Sequence, residues 1–267
     1  MSVPDVTPAL LETRSVSKMF TSSRGLRRSS HLAVDDVSIR IPESSTLAIV
    51  GESGSGKSTL ARMCGYLLDP TEGEIVLEGC TVDARMEAHL RRQVQFVFQD
   101  PFSSLNPRHT IEQIITAPLR YQRIRLAKDH RRFAQDLLER VGIDPDHVDR
   151  LPSQFSGGQA QRIGIARALA CRPRLIICDE AVSALDVSVQ AGVLQLLVDL
   201  QSDYGLSYLF ITHDLAVVRL IADQVAVMQA GRLVESGPAD QVLGAPQEEY
   251  TRDLLRSVPA YPADWNI

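Results

Sequence analysis

Short apolar runs recur along this chain, separated by amphipathic stretches. Residues 47–50, 94–98, 175–178, 208–211 and 225–228 are dominated by Val, Ile, Leu and Phe, the pattern of short strands buried on both faces. Between them, residues 57–67, 187–200 and 215–221 carry helical spacing, which predicts a mostly parallel sheet with helices on both faces. The opening third differs: residues 10–20, 34–41 and 74–78 read as strands with no helix of sufficient length between most of them. An antiparallel side sheet is expected there. From about 101 to 170 helical stretches take over, 133–141 among them, with Pro107, Pro118, Pro145 and Pro152 as punctuation. A helical lobe inserted into the α/β core accounts for this segment.

Composition narrows the function classes more than the fold. The chain has 267 residues, enough to bury a core as one large domain, and its 44% hydrophobic content argues against disorder. A formal charge of −5 leaves no global footprint for nucleic acid. One basic cluster, Arg24, Arg27 and Arg28, lies among Ser22, Ser23, Gly25, Ser29 and Ser30 and reads as a solvated loop. Cys64, Cys80, Cys171 and Cys178 show no CxxC pair or metal-ligand spacing, so reduced thiols in a cytosol are expected instead of a zinc or disulfide framework. Pro4, Asp5, Pro8 and Glu12 occupy the place of a secretion signal, and no apolar run approaches the roughly 18 residues of a spanning helix. Membrane association is therefore expected through a partner.

The strongest local signal follows the apolar run 47–50. Gly51, Glu52, Ser53, Gly54, Ser55, Gly56, Lys57 and Ser58, with Thr59 behind them, satisfy GxxxxGK[ST] in a strand-to-helix context. Glycines let successive backbone N–H groups converge on phosphate oxygens, and the helix N-terminus adds its partial positive charge. Lys57 reaches the outer phosphates and Ser58 offers a hydroxyl to Mg²⁺. Only three lysines, Lys18, Lys57 and Lys128, occur among many arginines, so a lysine at this position is not compositional noise.

Further on, the run 175–178 ends in Asp179 and Glu180, acids delivered at a strand's C-terminal edge as a Mg-nucleotide requires. Asp179 suits Mg²⁺, and Glu180 suits a general base for the attacking water. Phe155, Ser156, Gly157, Gly158 and Gln159 precede a helix-compatible run, 160–170; Ser156 can cap that helix while the glycines permit close approach to phosphate.

This last segment resembles the LSGGQ signature of ABC ATPases, with Phe155 replacing the commonest leucine. Other landmarks of that family stand in the expected order: Gln99 after 94–98, Ser183-Ala-Leu-Asp186 after the acidic pair, and His213 after 208–212. The resemblance implies an α/β fold: a P-loop NTPase (RecA-like) core with an antiparallel β subdomain and an inserted α-helical subdomain. It implies one nucleotide-binding domain over 1–267, with core and β subdomain at about 10–98 and 171–236, helical lobe at about 99–170, and a C-terminal extension at about 237–267. ATP and Mg²⁺ are the implied cofactors. Gln99 would link Mg²⁺ to the lobe facing the membrane partner, Asp186 would support the dimer contact, His213 would touch the γ-phosphate, and Phe20 would stack on adenine. Each signature segment would close on the nucleotide held by a second ATPase subunit.

Residues 99–108, 179–188 and 246–255 are similar to the oligopeptide, dipeptide and nickel importer ATPases. That similarity implies two integral-membrane permeases, an extracytoplasmic solute-binding protein engaged indirectly, no nucleic acid, and a place on the cytoplasmic face of the cell (inner) membrane. Some members carry an iron–sulfur cysteine cluster after the histidine; no cysteine follows Cys178 here, so none is expected. A soluble ABC ATPase acting on nucleic acid or ribosomes is the alternative, since the motor is generic.

Overall fold

The computed structural model describes residues 9–24, 27–83, 85–124 and 129–256. Two long strands, β1 (Ala9–Arg24) and β2 (Arg27–Pro42), open the chain, followed by β3 (Thr46–Val50), helix α1 (Lys57–Cys64), β4 (Glu72–Leu77), the two-residue β5 (Cys80–Thr81), α2 (Glu87–Gln93) and β6 (Val94–Phe98). Four helices come next: α3 (Pro101–Ser104), α4 (Ile111–Tyr121), α5 (His130–Arg140) and α6 (Gly157–Leu169). The last part alternates: β7 (Leu175–Asp179), α7 (Val187–Tyr204), β8 (Ser207–Ile211), α8 (Leu215–Ile221), β9 (Gln224–Gln229), β10 (Arg232–Pro238), α9 (Ala239–Gly244) and α10 (Glu249–Arg256).

The strands form two sheets. An antiparallel one has the order β2-β1-β4-β5, and a six-stranded one the order β10-β9-β3-β8-β7-β6. In the second, β3, β6, β7, β8 and β9 are parallel and β10 returns antiparallel to β9. Strands β3, β7 and β8 are buried along their whole length, as expected for parallel strands covered on both faces. The side sheet and α1 share an apolar core through Leu11, Val37, Ile49, Leu60 and Ile75. A second core, with Ile115, Leu138, Ile163, Leu194 and Phe210, joins the helical lobe to the other face of the large sheet. Each such fully buried side chain stabilises by roughly 1.5–3 kcal/mol.

Several elements differ from the sequence expectation. The stretch around Arg24, Arg27 and Arg28, expected to be a loop, continues the hairpin: Thr21 pairs with Ser30, Ser22 with Ser29, and Arg24 with Arg27. Gly25 and Leu26 lie outside the described residues. Helix α1 stops at Cys64, not at residue 67, because Tyr66 turns left-handed at φ 54 and Leu67 N–H bonds back to the Arg62 carbonyl (2.8 Å); Gly65 beside it leaves room for Phe96. Pro118 sits inside α4 instead of ending it. The ring removes one helical N–H donor, but the buried face of Ile111, Ile114, Ile115 and Leu119 holds the helix across it. Strand β10 and helices α9 and α10 fall outside the elements that the sequence predicts: each is short, six to eight residues.

Candidate functional site

The loop between β3 and α1 is shaped by contacts that exclude side chains. At Gly51, with φ 148, a Cβ would stand 2.1 Å from the Met228 carbonyl oxygen; at Gly56, with φ 104, 2.3 Å from that of Ala33. Backbone bonds fix the rest: Ser55 N–H donates to Glu52 (3.2 Å) and Gly231 N–H to Ser55 (3.0 Å). Lys57 turns back into the loop, its ammonium donating to the carbonyls of Gly51 (2.8 Å) and Glu52 (2.7 Å) and to Ser55 Oγ (3.3 Å). Burial pushes its pKa down, against the pull of Glu180, Asp179 and Glu52. A buried cation whose partners are mostly neutral carbonyls is poised for an anion, since a phosphate offers charge-assisted bonds that carbonyls do not.

Strand β7 lies between β8 and β6 and brings its C-terminal acids to the same edge as this loop. Ser58 Oγ donates to Asp179 Oδ1 at 2.8 Å. Burial raises the Asp179 pKa, with Ser58, Arg62 and Lys57 opposing it and Glu180 adding to it. Glu180 has φ 52, a left-handed conformation that costs a residue with a Cβ of order 1–3 kcal/mol. Its N–H donates to Ile211 on β8 (2.9 Å) and its carbonyl accepts from Ser183 in the following turn (3.2 Å), so both sides of the peptide are held in this conformation. The carboxylate Oε1 lies 3.4 Å from His213 Nδ1.

A cavity of about 620 Å³ collects Ser53, Ser58, Gln99, Asp179 and Glu180, together with Arg62 and Arg167. Gln161 on α6 donates to the Phe98 carbonyl (3.2 Å), tying the helical lobe to the strand that delivers Gln99. The two arginines and Gln161 were missed in the sequence. Arg167 is mostly buried and donates to the Ser104 carbonyl, with burial lowering its pKa. A single arginine inside the otherwise apolar end of α6 is the signal that could have flagged it.

The other candidates lie elsewhere. Ser156 Oγ accepts from Gln159 N–H (3.3 Å) and Gln159 Oε1 accepts from Ser156 N–H (3.0 Å), a capping box at the start of α6. Gly157 and Gly158 abut α7 and the turn before it: a Cβ on Gly158 would stand 2.2 Å from Val189 Cγ1, and one on Gly157 3.7 Å from Leu185 Cδ2. Asp186, immediately before α7, makes no capping bond. None of Ser156, Gly157, Gly158, Gln159 and Asp186 lines the cavity. Phe20, on β1, is 42% exposed with the Lys18 ammonium 5.8 Å from its ring centroid, and it too lies outside the cavity. One chain thus carries two separated surfaces, a phosphate-type loop with acids and a capped glycine helix end.

A parallel sheet with a glycine loop, buried lysine and strand-end acids on one edge, and a helical insertion between two of its strands, defines a P-loop ATPase cassette. The family model described as ABC transporter matches residues 34–183. The probable peptide ABC transporter ATP-binding protein y4tS of Sinorhizobium fredii is 48% identical over 94% of this chain and 73% of its own length. The oligopeptide transport ATP-binding protein OppF of Bacillus subtilis is 44% identical over 97% of this chain and 86% of its own. The glutathione import ATP-binding protein GsiA of Escherichia coli is 51% identical over 85% of this chain, which spans only 37% of that relative. Among solved structures, the dimeric post-hydrolysis cassette MJ0796 bound to ADP and Pi superposes with TM-score 0.74 at 30% identity, covering 86% of this chain and 98% of that one. The chain belongs to the ABC transporter family, as an ATP-binding and ATP-hydrolysing subunit. The alternative of a nucleic-acid or ribosome ATPase finds no support among these relatives.

Proposed function

We propose that this subunit energises the import of peptides or a related small solute through two integral-membrane permeases, paired with a second, identical or homologous ATPase subunit. An extracytoplasmic solute-binding protein would deliver the cargo, and the subunit would sit on the cytoplasmic face of the membrane. The peptide, oligopeptide and glutathione transport of y4tS, OppF and GsiA supports this cargo class. Among the described residues no helix is long and apolar enough to cross a membrane, which accords with attachment through permeases. A groove of about 900 Å³ between α2, β6 and α4 offers the attachment surface; Phe98 and Arg167 line both this groove and the cavity of the acids.

Residues 51–59 would cradle the triphosphate, with Lys57 turning from its loop carbonyls to the outer phosphates. Ser58, Asp179 and Gln99 are hard oxygen donors around a buried carboxylate and fit Mg²⁺. Bound there, the ion would offset phosphate charge. Glu180 would orient and deprotonate the attacking water, and His213, 3.4 Å from the Glu180 carboxylate, would contact the γ-phosphate. Phe20 would stack on adenine.

The observation that carries the reading is the separation of the two surfaces. Ser156, Gly157, Gly158 and Gln159 form a capped helix start, suited to an anion, that the chain's own cavity does not use, and Asp186, before α7, would support the dimer contact. A second subunit's cavity would use that helix start, so that ATP closes the dimer and hydrolysis releases it. Glu180→Gln with Mg-ATP should accumulate as a dimer with its natural partner chain, measured by light scattering. A variant that stays monomeric at saturating nucleotide would sink the mechanism. Isolation of the solubilised complex, with identification of its subunits and bound solute, tests the cargo class.

A further inference from the structure

We propose that Tyr250, on the C-terminal helix, is a positioning residue for the phosphate loop. The proposal rests on the reading of residues 51–59 as the triphosphate cradle. The Glu52 N–H donates to the Tyr250 hydroxyl oxygen at 3.2 Å, across 198 positions of sequence. The Glu52 carbonyl, at the other side of the same residue, accepts from Lys57 (2.7 Å) and from Ser55 N–H (3.2 Å). Glu52 is therefore held by two tethers of different kinds. Lys57 must give up its loop carbonyls to reach a phosphate, whereas Tyr250 reaches the loop from outside the cavity and has no reason to leave. Tyr250 is the tether that persists when nucleotide enters.

The hydroxyl is placed by the sheet and not by the loop. Ahead of α10, the N–H groups of Gln247 (2.8 Å) and Glu248 (3.2 Å) donate to the Glu235 carboxylate on β10. Strand β10 pairs with β9, whose Met228 carbonyl is the surface that forbids a Cβ at Gly51. Thr251 is buried, and Tyr250, Leu254 and Leu255 lean on the main core. The C-terminal segment, the strand beneath the loop and the loop itself are thereby locked into one register. Pre-forming the loop lowers the ordering cost of ATP binding.

Tyr250→Phe removes only the hydroxyl. With the full-length chain in complex with its partner subunits, KM for Mg-ATP should rise about fivefold, the effect of one net hydrogen bond. At the same time kcat should fall less than twofold, because saturating nucleotide restores the loop. Amide exchange at Glu52 in the nucleotide-free chain should accelerate. Leu254→Ala, a packing variant of the same helix, should lower thermal stability without that rise in KM. Parental KM and parental Glu52 exchange in Tyr250→Phe, with Lys57→Ala unable to bind ATP, would overturn the role of Tyr250 and leave the cradle standing. A KM that merely tracks melting temperature across both helix variants would overturn it as well. Parental ATP binding by Lys57→Ala would instead bring down the cradle reading itself.

Discussion

Replacing Glu180 by Gln separates chemistry from architecture at this site. The amide keeps the size of the side chain and the left-handed backbone at φ 52, so backbone strain is unchanged. What stability is at stake is the contact with His213 at 3.4 Å, between side chains 61% and 26% exposed. Such a pair is worth at most about 1 kcal/mol, or about 2–4 °C of melting temperature for a domain of this size. A lost general base, in contrast, costs about 10²–10⁴ in rate, equivalent to about 3–5 kcal/mol of activation free energy. The variant should therefore hydrolyse ATP at least about a hundredfold more slowly while melting within about 4 °C of the parent. Single-turnover phosphate release and calorimetry on the same preparation measure both. Turnover within about tenfold of the parent would refute the base assignment, and a much larger fall in melting temperature would make Glu180 a structural residue.

Two further outcomes follow from contacts away from the reacting groups. Gly158→Ala sets a helix-propensity gain of about 1 kcal/mol against an overpacking cost of about 1–3 kcal/mol from the 2.2 Å approach to Val189 Cγ1. It should destabilise the parent yet stabilise a Val189→Ala background, and denaturant titrations giving one sign in both would refute the clash. At Glu235, burial pushes the pKa up, but the N–H groups of Gln247 and Glu248 and the nearby charge of Arg252 prevail and hold it below the ordinary glutamate range. A carboxylate with a depressed folded pKa stabilises above its unfolded value and loses that contribution as pH falls through the folded one. The α10 segment should accordingly show faster amide exchange on acidification below the ordinary glutamate range, after correction for intrinsic rates. Glu235→Gln should flatten that dependence; an unchanged profile would show that the clamp does not titrate.

The sheet was legible because its strands are nearly continuous apolar runs, and the loop because only glycines tolerate carbonyl oxygens 2.1 and 2.3 Å from a Cβ position. Element ends were less legible. Helix α1 closes where Tyr66 turns left-handed and Leu67 N–H bonds back to Arg62 (2.8 Å), a turn made by a residue that is not glycine and that no local pattern marks. The hairpin tip around Arg24 looked like a loop because Ser, Arg and Gly carry no alternation; cross-strand pairing, a non-local effect, extends both strands. At the site, Lys57, Ser58, Asp179 and Glu180 could be singled out because motif and strand end coincide. Arg62, Gln161 and Tyr250 could not, because their partners Asp179, Phe98 and Glu52 come from other elements.

The strand order has a consequence for how the molecule is made. Among the described residues β3 is hydrogen-bonded within its sheet only to β8 and β9, so the strand leading into the phosphate loop waits, during synthesis, for neighbours from the final quarter of the chain. A nascent polypeptide halted before residue 207 carries every residue of the loop and both acids yet has no flanking strand to hold β3 in place. Stalled ribosome-bound chains of that length should therefore show no ATP retention, whereas chains extended past Met228 should.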